Sequence, residues 1–214
     1  MKYRPIIMTG PSLPALADGT KTQTRRLVKH LPAYKKAPSG DRLSKIIAGC
    51  PYGVVGDRLW VREAFAEFAV GNRTGVSSTC IAYRASCATD GGFDYVNNGD
   101  EIMRLKVTKW TSPLFMPRWA ARITLELTEV RVQRLQEISE EDARAEGVAR
   151  DTSPCDHKRY SCEEIGCMGQ THRAGFCDRW CDLHGIDTWL SNPLVWALSL
   201  KTVQSAASRR GERP

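Results

Sequence analysis

Residues 119–134 constrain the fold of this chain more than any other segment. Ile123, Leu125 and Leu127 alternate with Thr124, Glu126 and Thr128. A period of two marks a strand with one buried and one wetter face. Val130 and Val132 resume the alternation one step out of phase, so a bend or bulge is expected between the two halves. The other strand signals are short: residues 6–9, Arg58–Arg62 after the Gly56-Asp57 turn, residues 80–83, and residues 194–200 after Asn192-Pro193. Several short strands with few helices predict an α+β fold, a small β-barrel with helices attached.

Ser12 is placed to cap a short helix that runs to Ala17, and Gly19 to end it. Ser139-Glu140-Glu141-Asp142 starts another, its carboxylates meeting the positive end of the helix dipole, with the end near Gly147. Phe176, Trp180 and Leu183 recur at helical spacing and predict an amphipathic helix up to Gly185. Between these elements, 31–57 is rich in Pro, Gly and Lys, 89–100 reads as an exposed loop, and 151–173 is rich in Cys and His. The 214 residues read as one domain, 1–214, with loop insertions at about 31–55, 66–100 and 151–175 and a frayed tail at 205–214.

The net charge of +7 is local. The first sixty residues hold eleven Lys/Arg against three Asp, and the remainder twenty basic against twenty-one acidic residues. A basic stretch from Lys21 to Lys45 favours phosphate-bearing partners, or else is a solvated surface. No apolar run approaches the ~20 residues of a membrane span. The opening Met1-Lys-Tyr-Arg-Pro5 lacks the apolar core of a secretory leader. The expectation is a cytoplasmic protein without membrane contact, its eight cysteines reduced or metal-bound rather than paired.

The most informative segment is Gly19-Thr20-Lys21-Thr22-Gln23-Thr24-Arg25-Arg26. Gly19 permits a turn conformation denied to other residues. Lys21 and Thr24 are three apart, so a helical turn would set them on one face. Threonine is a weak nucleophile until a base takes its proton. Lysine is such a base only where burial or positive neighbours lower its pKa, a field Arg25 and Arg26 could supply. The two arginines could equally bind phosphate, and the whole segment could be a basic loop with local hydroxyl caps.

This pattern, Gly-x-Lys-x-x-Thr-x-Arg, resembles the signature of ASCH domains of the PUA-like superfamily. Gly56-Asp57-Arg58-Leu59-Trp60-Val61 resembles the strand start of that family. Cys50-Pro-Tyr-Gly53, Trp60-Val-Arg-Glu63, Met116-Pro-Arg-Trp119 and Asn192-Pro-x-x-Trp196 resemble the longer form carried by bacteriophages and prophages. The resemblance implies a PUA-like small β-barrel with flanking helices and a cysteine-rich insertion. One branch of the family hydrolyses N4-acetylcytidine to cytidine and acetate with a Lys, a Thr and a Glu. Lys21 and Thr24 match the first two. The family's spacing after Leu135-Gln-Glu-Ile138-Ser139-Glu140 leads to Glu146, with Glu140, Glu141 and Asp142 as alternatives.

The resemblance thus implies an amidohydrolase acting on N4-acetylcytidine or a related modified cytosine nucleoside, with no cofactor required for catalysis. Lys21 would assist deprotonation of Thr24, Thr24 would attack the amide carbonyl, and Glu146 would shuttle a proton or activate water. Gly19, Arg26, Arg118 and Trp119 are the expected substrate-binding residues. The alternative is a non-catalytic RNA- or DNA-binding module taking single-stranded nucleic acid in the same basic cleft. A ribonuclease is the less favoured third reading.

Trp60, Trp110 and Trp119, interleaved with Arg58, Arg62, Arg118 and Arg122, offer either core residues or a base-stacking platform. Cys155, Cys162, Cys167 and His172 form a candidate structural zinc set, with His157 as a rival ligand. Cys177, Cys181 and His184 share one helix face and offer a second set. The plain alternative is reduced cysteines in a loop and a helix.

Overall fold

The structure is a computed structural model that describes residues 1–8, 10, 12–29, 40–71, 77–87, 92–97, 101–107, 109–150 and 169–205. Its strands are β1 (Tyr3–Ile7), β2 (Gln23–Leu27), β3 (Arg58–Arg62), β4 (Phe65–Gly71), β5 (Ser77–Tyr83), β6 (Gly92–Asn97), β7 (Glu101–Lys106), β8 (Ile123–Arg134) and β9 (Leu194–Ser205). Its α-helices are α1 (Ser12–Ala17), α2 (Gly40–Ala48), α3 (Glu140–Ala145), α4 (His172–His184) and α5 (Ile186–Leu190). The fold is α+β. A five-stranded sheet has the order β1-β3-β8-β9-β2, and two further ribbons pair β4 with β5 and β6 with β7. β1 and β3 run parallel, from Tyr3 opposite Arg58 to Ile7 opposite Arg62. β2 and β9 run antiparallel, from Gln23 opposite Ser199 to Leu27 opposite Val195. The sheet is therefore mixed.

β8 carries the alternation and its slip. Ile123, Leu125 and Leu127 are buried, Thr128 and Glu129 are both exposed, and Val130 is buried again. The two consecutive exposed residues are the phase change that the valine spacing anticipates.

The chain divides into two compact units. One comprises residues 1–17, 58–125 and 202–214. Its core gathers Trp60, Phe65, Ile81, Tyr83, Met116, Ala120 and Ala121. Beside it Glu63, 1% exposed, takes two hydrogen bonds from Arg122, each 2.8 Å long. Such a fork neutralises a charge that burial would otherwise penalise. The other unit comprises residues 18–57 and 126–201. Its core gathers Leu135, Ile138, Phe176, Cys177, Trp180, Trp189 and Val195. Thr171 caps α4 by accepting from the Ala174 N–H, and the Glu140 carboxylate accepts from the N–H groups of His172 and Arg173. The free donors of the first turn of α4 are thereby satisfied.

Three expectations need correction. Residues 40–48, read as loop, form α2. The segment 66–100, read as inserted loop, carries most of β4 with β5 and β6. Leu183, expected on the buried face of α4, is 63% exposed, while Phe176 and Trp180 are buried. The apolar face of α4 ends a turn early because Gly185, at φ 82°, redirects the chain into α5. No helix among the described residues is long and apolar enough to cross a membrane.

Candidate functional site

Two chain turns bring Lys21 against the end of α3. Gly19 sits at φ 80°, and Asp18 accepts hydrogen bonds from the Thr20 N–H and hydroxyl, which fixes the chain before Lys21. The Thr22 N–H then donates to Ala145 O at 2.8 Å. On the other side, Ser139 caps α3 through the Asp142 N–H, and Gly147 at φ 71° ends it. The last carbonyls of a helix lack intrahelical donors. Lys21 meets that need at Glu146, donating from Nζ to the main-chain oxygen at 2.7 Å and to carboxylate Oε2 at 2.6 Å.

A second cation shares the same carboxylate. Arg25 Nη1 donates to Glu146 Oε1 at 3.2 Å and to Gln23 Oε1 at 2.6 Å, and its Nη2 donates to Asp142 Oδ2 at 2.7 Å. Asp142 also accepts from Gln23 and from Arg131. Lys21, Arg25 and Glu146 are 5%, 4% and 5% exposed. Burial pushes the Lys21 ammonium below the ordinary lysine range. The Glu146 carboxylate opposes that shift, and the charges of Arg179 and Arg26 add to it. Burial alone would raise the Asp142 carboxyl, but hydrogen bonds from Arg131 and Gln23 and the charges of Arg25 and Arg131 hold it below the usual range.

Of the four acidic candidates, Glu146 is the one that reaches Lys21. Glu140 is engaged with the start of α4, Asp142 with Arg25 and Arg131, and Glu141 is exposed. Thr24 lies in β2, opposite Leu198, not on the helical turn expected from its spacing to Lys21. Strand alternation sends Thr24 and Arg26 to the face opposite Gln23 and Arg25. Thr24 is 5% exposed, and among the described residues its hydroxyl forms no hydrogen bond with Lys21 or Glu146. Arg26 is half-buried and its charge bears on Lys21, Tyr52 and His184.

Arg118 and Trp119 belong to the other unit. They line a cleft of about 810 Å³ together with Tyr3, Arg58, Trp60 and Thr124. The structure thus brings Lys21 and Glu146 together and sets Arg118 and Trp119 in a cleft lined by neither. Cys155, Cys162, Cys167 and His157 lie outside the described residues. His172 opens α4, and its Nδ1–H donates to Val148 O at 2.8 Å. Among the described residues no group of three or more His, Cys, Asp or Glu side chains is placed to hold a metal ion.

The supporting role of Arg131 and the cleft position of Tyr3 have no signal in the sequence, whereas Arg58 is one of the arginines interleaved with the tryptophans and Asp142 one of the acidic alternatives. The acidic first turn of α3 reads as ordinary dipole complementation. Tyr3 and Arg58 meet only through the parallel pairing of β1 and β3. Comparison with protein families, with curated proteins and with solved structures finds no match to this chain.

Proposed function

We propose that this chain is an amidohydrolase of the ASCH type, built on a PUA-like barrel, that removes an acyl group from N4-acetylcytidine or a related modified cytosine nucleoside. The observation that carries the reading is the buried Lys21–Glu146 pair, 2.6 Å apart and 125 residues apart in the chain. The ASCH resemblance implies roles for these same two residues, Lys21 and Glu146. A lysine held below its ordinary pKa by burial is a better base than a surface lysine.

In the proposed reaction substrate binding brings the Thr24 hydroxyl, which makes no hydrogen bond to Lys21 in the free protein, within reach of Lys21, which takes its proton as the oxygen attacks the acyl carbonyl. The carbonyl–nitrogen bond then breaks, and the proton passes by way of Lys21 and Glu146 to the leaving amine. Water attacks the acyl-threonine ester, releases acetate and restores the Thr24 hydroxyl. No cofactor enters these steps.

The same contacts weigh against a strand-binding module at this place. Lys21 and Arg25 spend their donors on Glu146, Asp142 and Gln23 inside the fold. A lysine committed in this way is a poor phosphate ligand.

The test is incubation of the purified protein with N4-acetylcytidine, following cytidine and acetate by chromatography. Lys21→Met, Thr24→Ala and Glu146→Gln are each expected to lower turnover roughly 100- to 10,000-fold, with non-additive losses in the double variants. No turnover of any acylated cytosine by the wild-type protein refutes the activity, and full activity in Thr24→Ala removes the nucleophile.

A further inference from the structure

The cleft around Tyr3 has a charge that its own walls do not balance. Among the described residues its lining includes two guanidinium groups, Arg58 and Arg118, and no carboxylate. Neither arginine forms an ion pair among the described residues. Both are held instead by an aromatic ring. The Arg118 guanidinium carbon lies 3.9 Å from the centroid of the Tyr3 ring. Arg58 lies 5.9 Å from that centroid and donates from Nη1 to the Tyr3 hydroxyl at 3.0 Å. A ring positions a guanidinium without neutralising it. The two positive charges are therefore ordered in advance and remain available to an anion, which lowers the entropic cost of binding one.

The remaining walls suit a flat, partly polar ligand. Trp119 is half-buried at the cleft, Trp60 lies beneath, and Thr124 adds a hydroxyl. Arg62 stacks over Trp60 with its guanidinium carbon 4.6 Å from the ring centroid, adding a third cation nearby. A bare inorganic anion would leave the rings unused, and a neutral apolar ligand would leave two arginines unanswered. A volume of about 810 Å³ is within the usual range for small-molecule sites.

We propose that this cleft binds a nucleotide unit, its phosphate held by Arg58 and Arg118 and its base stacked against Trp119. The site is built wholly from residues of one unit, and the inference does not rest on the hydrolase reading. The nucleotide could come free or as part of a single strand, because the same phosphate and base are presented by both.

Calorimetric titration of the full chain tests this, with cytidine 5′-monophosphate, cytidine and inorganic phosphate as separate probes. The monophosphate is expected to bind at least about tenfold more tightly than either fragment, since a charged phosphate contact and a stacked base each contribute. Arg58→Gln with Arg118→Gln, and separately Trp119→Ala, should each weaken it about tenfold or more. Arg118→Lys, which keeps the charge and loses the planar fork, should fall between. Arg118 is exposed, so its single variants are expected to fold, with urea midpoints as the control. An oligocytidylate that binds more tightly than the monophosphate, with a steep salt dependence, identifies a strand as the source. Equal or weaker oligonucleotide binding identifies the free nucleotide. The proposal is overturned if cytidine or phosphate alone matches the monophosphate, or if binding survives both the double arginine variant and Trp119→Ala.

Discussion

Glu146→Gln isolates the charge of the central carboxylate, because the side chain keeps its shape. Glu146 Oε2 stands 2.6 Å from Lys21 Nζ and Oε1 stands 3.2 Å from Arg25 Nη1. At an effective dielectric near 20 each contact carries roughly 5–6 kcal/mol of gross attraction. The net cost of the substitution is smaller for two reasons. Removing one partner from a buried pair costs about 3–5 kcal/mol once relaxation is counted. Lys21 can also escape by losing its proton, which from an unfolded reference near 10.4 costs about 4.6 kcal/mol at pH 7 and about 1.9 kcal/mol at pH 9. The expected loss is thus about 3–5 kcal/mol at pH 7, shrinking toward about 2 kcal/mol at pH 9. The sign follows from proton counting: a lysine whose folded pKa is lowered binds fewer protons folded than unfolded, so stability rises with pH across that window. The substitution removes the one partner that opposes the shift, so the variant should gain stability with pH more steeply than the wild type. Lys21→Met should cost less than Glu146→Gln at pH 7, since Glu146 keeps Arg25. Urea unfolding followed by circular dichroism at pH 7 and pH 9 measures all three proteins. A loss that does not shrink with pH, or a larger loss for Lys21→Met, would refute the reasoning.

Gly175→Ala tests a close approach rather than a charge. A Cβ there would meet Ala149 O at 2.6 Å, so the variant should lose about 1–3 kcal/mol in urea unfolding, although alanine is the better helix former by about 1 kcal/mol. Glu63→Gln should cost about 3–5 kcal/mol in the same assay by removing the buried negative charge that takes two hydrogen bonds from the Arg122 guanidinium. Asp142, with its carboxyl held below the ordinary range, contributes stability above that range and loses it as pH falls through its folded value. Unfolding midpoints of wild type and Asp142→Asn should therefore converge below about pH 4. Parallel curves down to acid would remove that assignment.

The parts of the fold legible in the sequence are those where one local rule acts alone. β3 and α1 have the bounds that their turn and cap residues suggest, and the phase slip of β8 is visible in its valines. α2 is masked by the Pro, Gly and Lys around it, although Leu43, Ile46 and Ile47 recur at helical spacing and are half-buried. Leu183 fits a helical stripe by spacing, but burial depends on where neighbouring elements stop, which spacing does not contain. Glu146 was legible through its distance from the Leu135 stretch. The helical turn expected at Thr24 is instead the start of β2, where side-chain spacing follows a period of two rather than 3.6. The Arg25–Asp142 contact joins residues 117 apart and had no local trace.

That hidden contact bears on the proposed chemistry. If Lys21 is to accept a proton, it must already be neutral, and a neutral Lys21 leaves Glu146 without its shorter partner. A carboxylate left without a countercharge in a site this dry is costly. Arg25 prevents this, because a guanidinium stays charged throughout and remains on Glu146 Oε1 at 3.2 Å. Asp142 and Gln23 in turn hold Arg25 in place. Arg25 is therefore a positioning residue whose charge lets Lys21 change protonation state without leaving the Glu146 carboxylate unpaired. Arg25→Lys should keep more turnover than Arg25→Gln, and Arg25→Gln should move the pH profile for N4-acetylcytidine turnover rather than lower it uniformly. A uniform loss at every pH in both variants would reduce Arg25 to a structural part of the α3 contact.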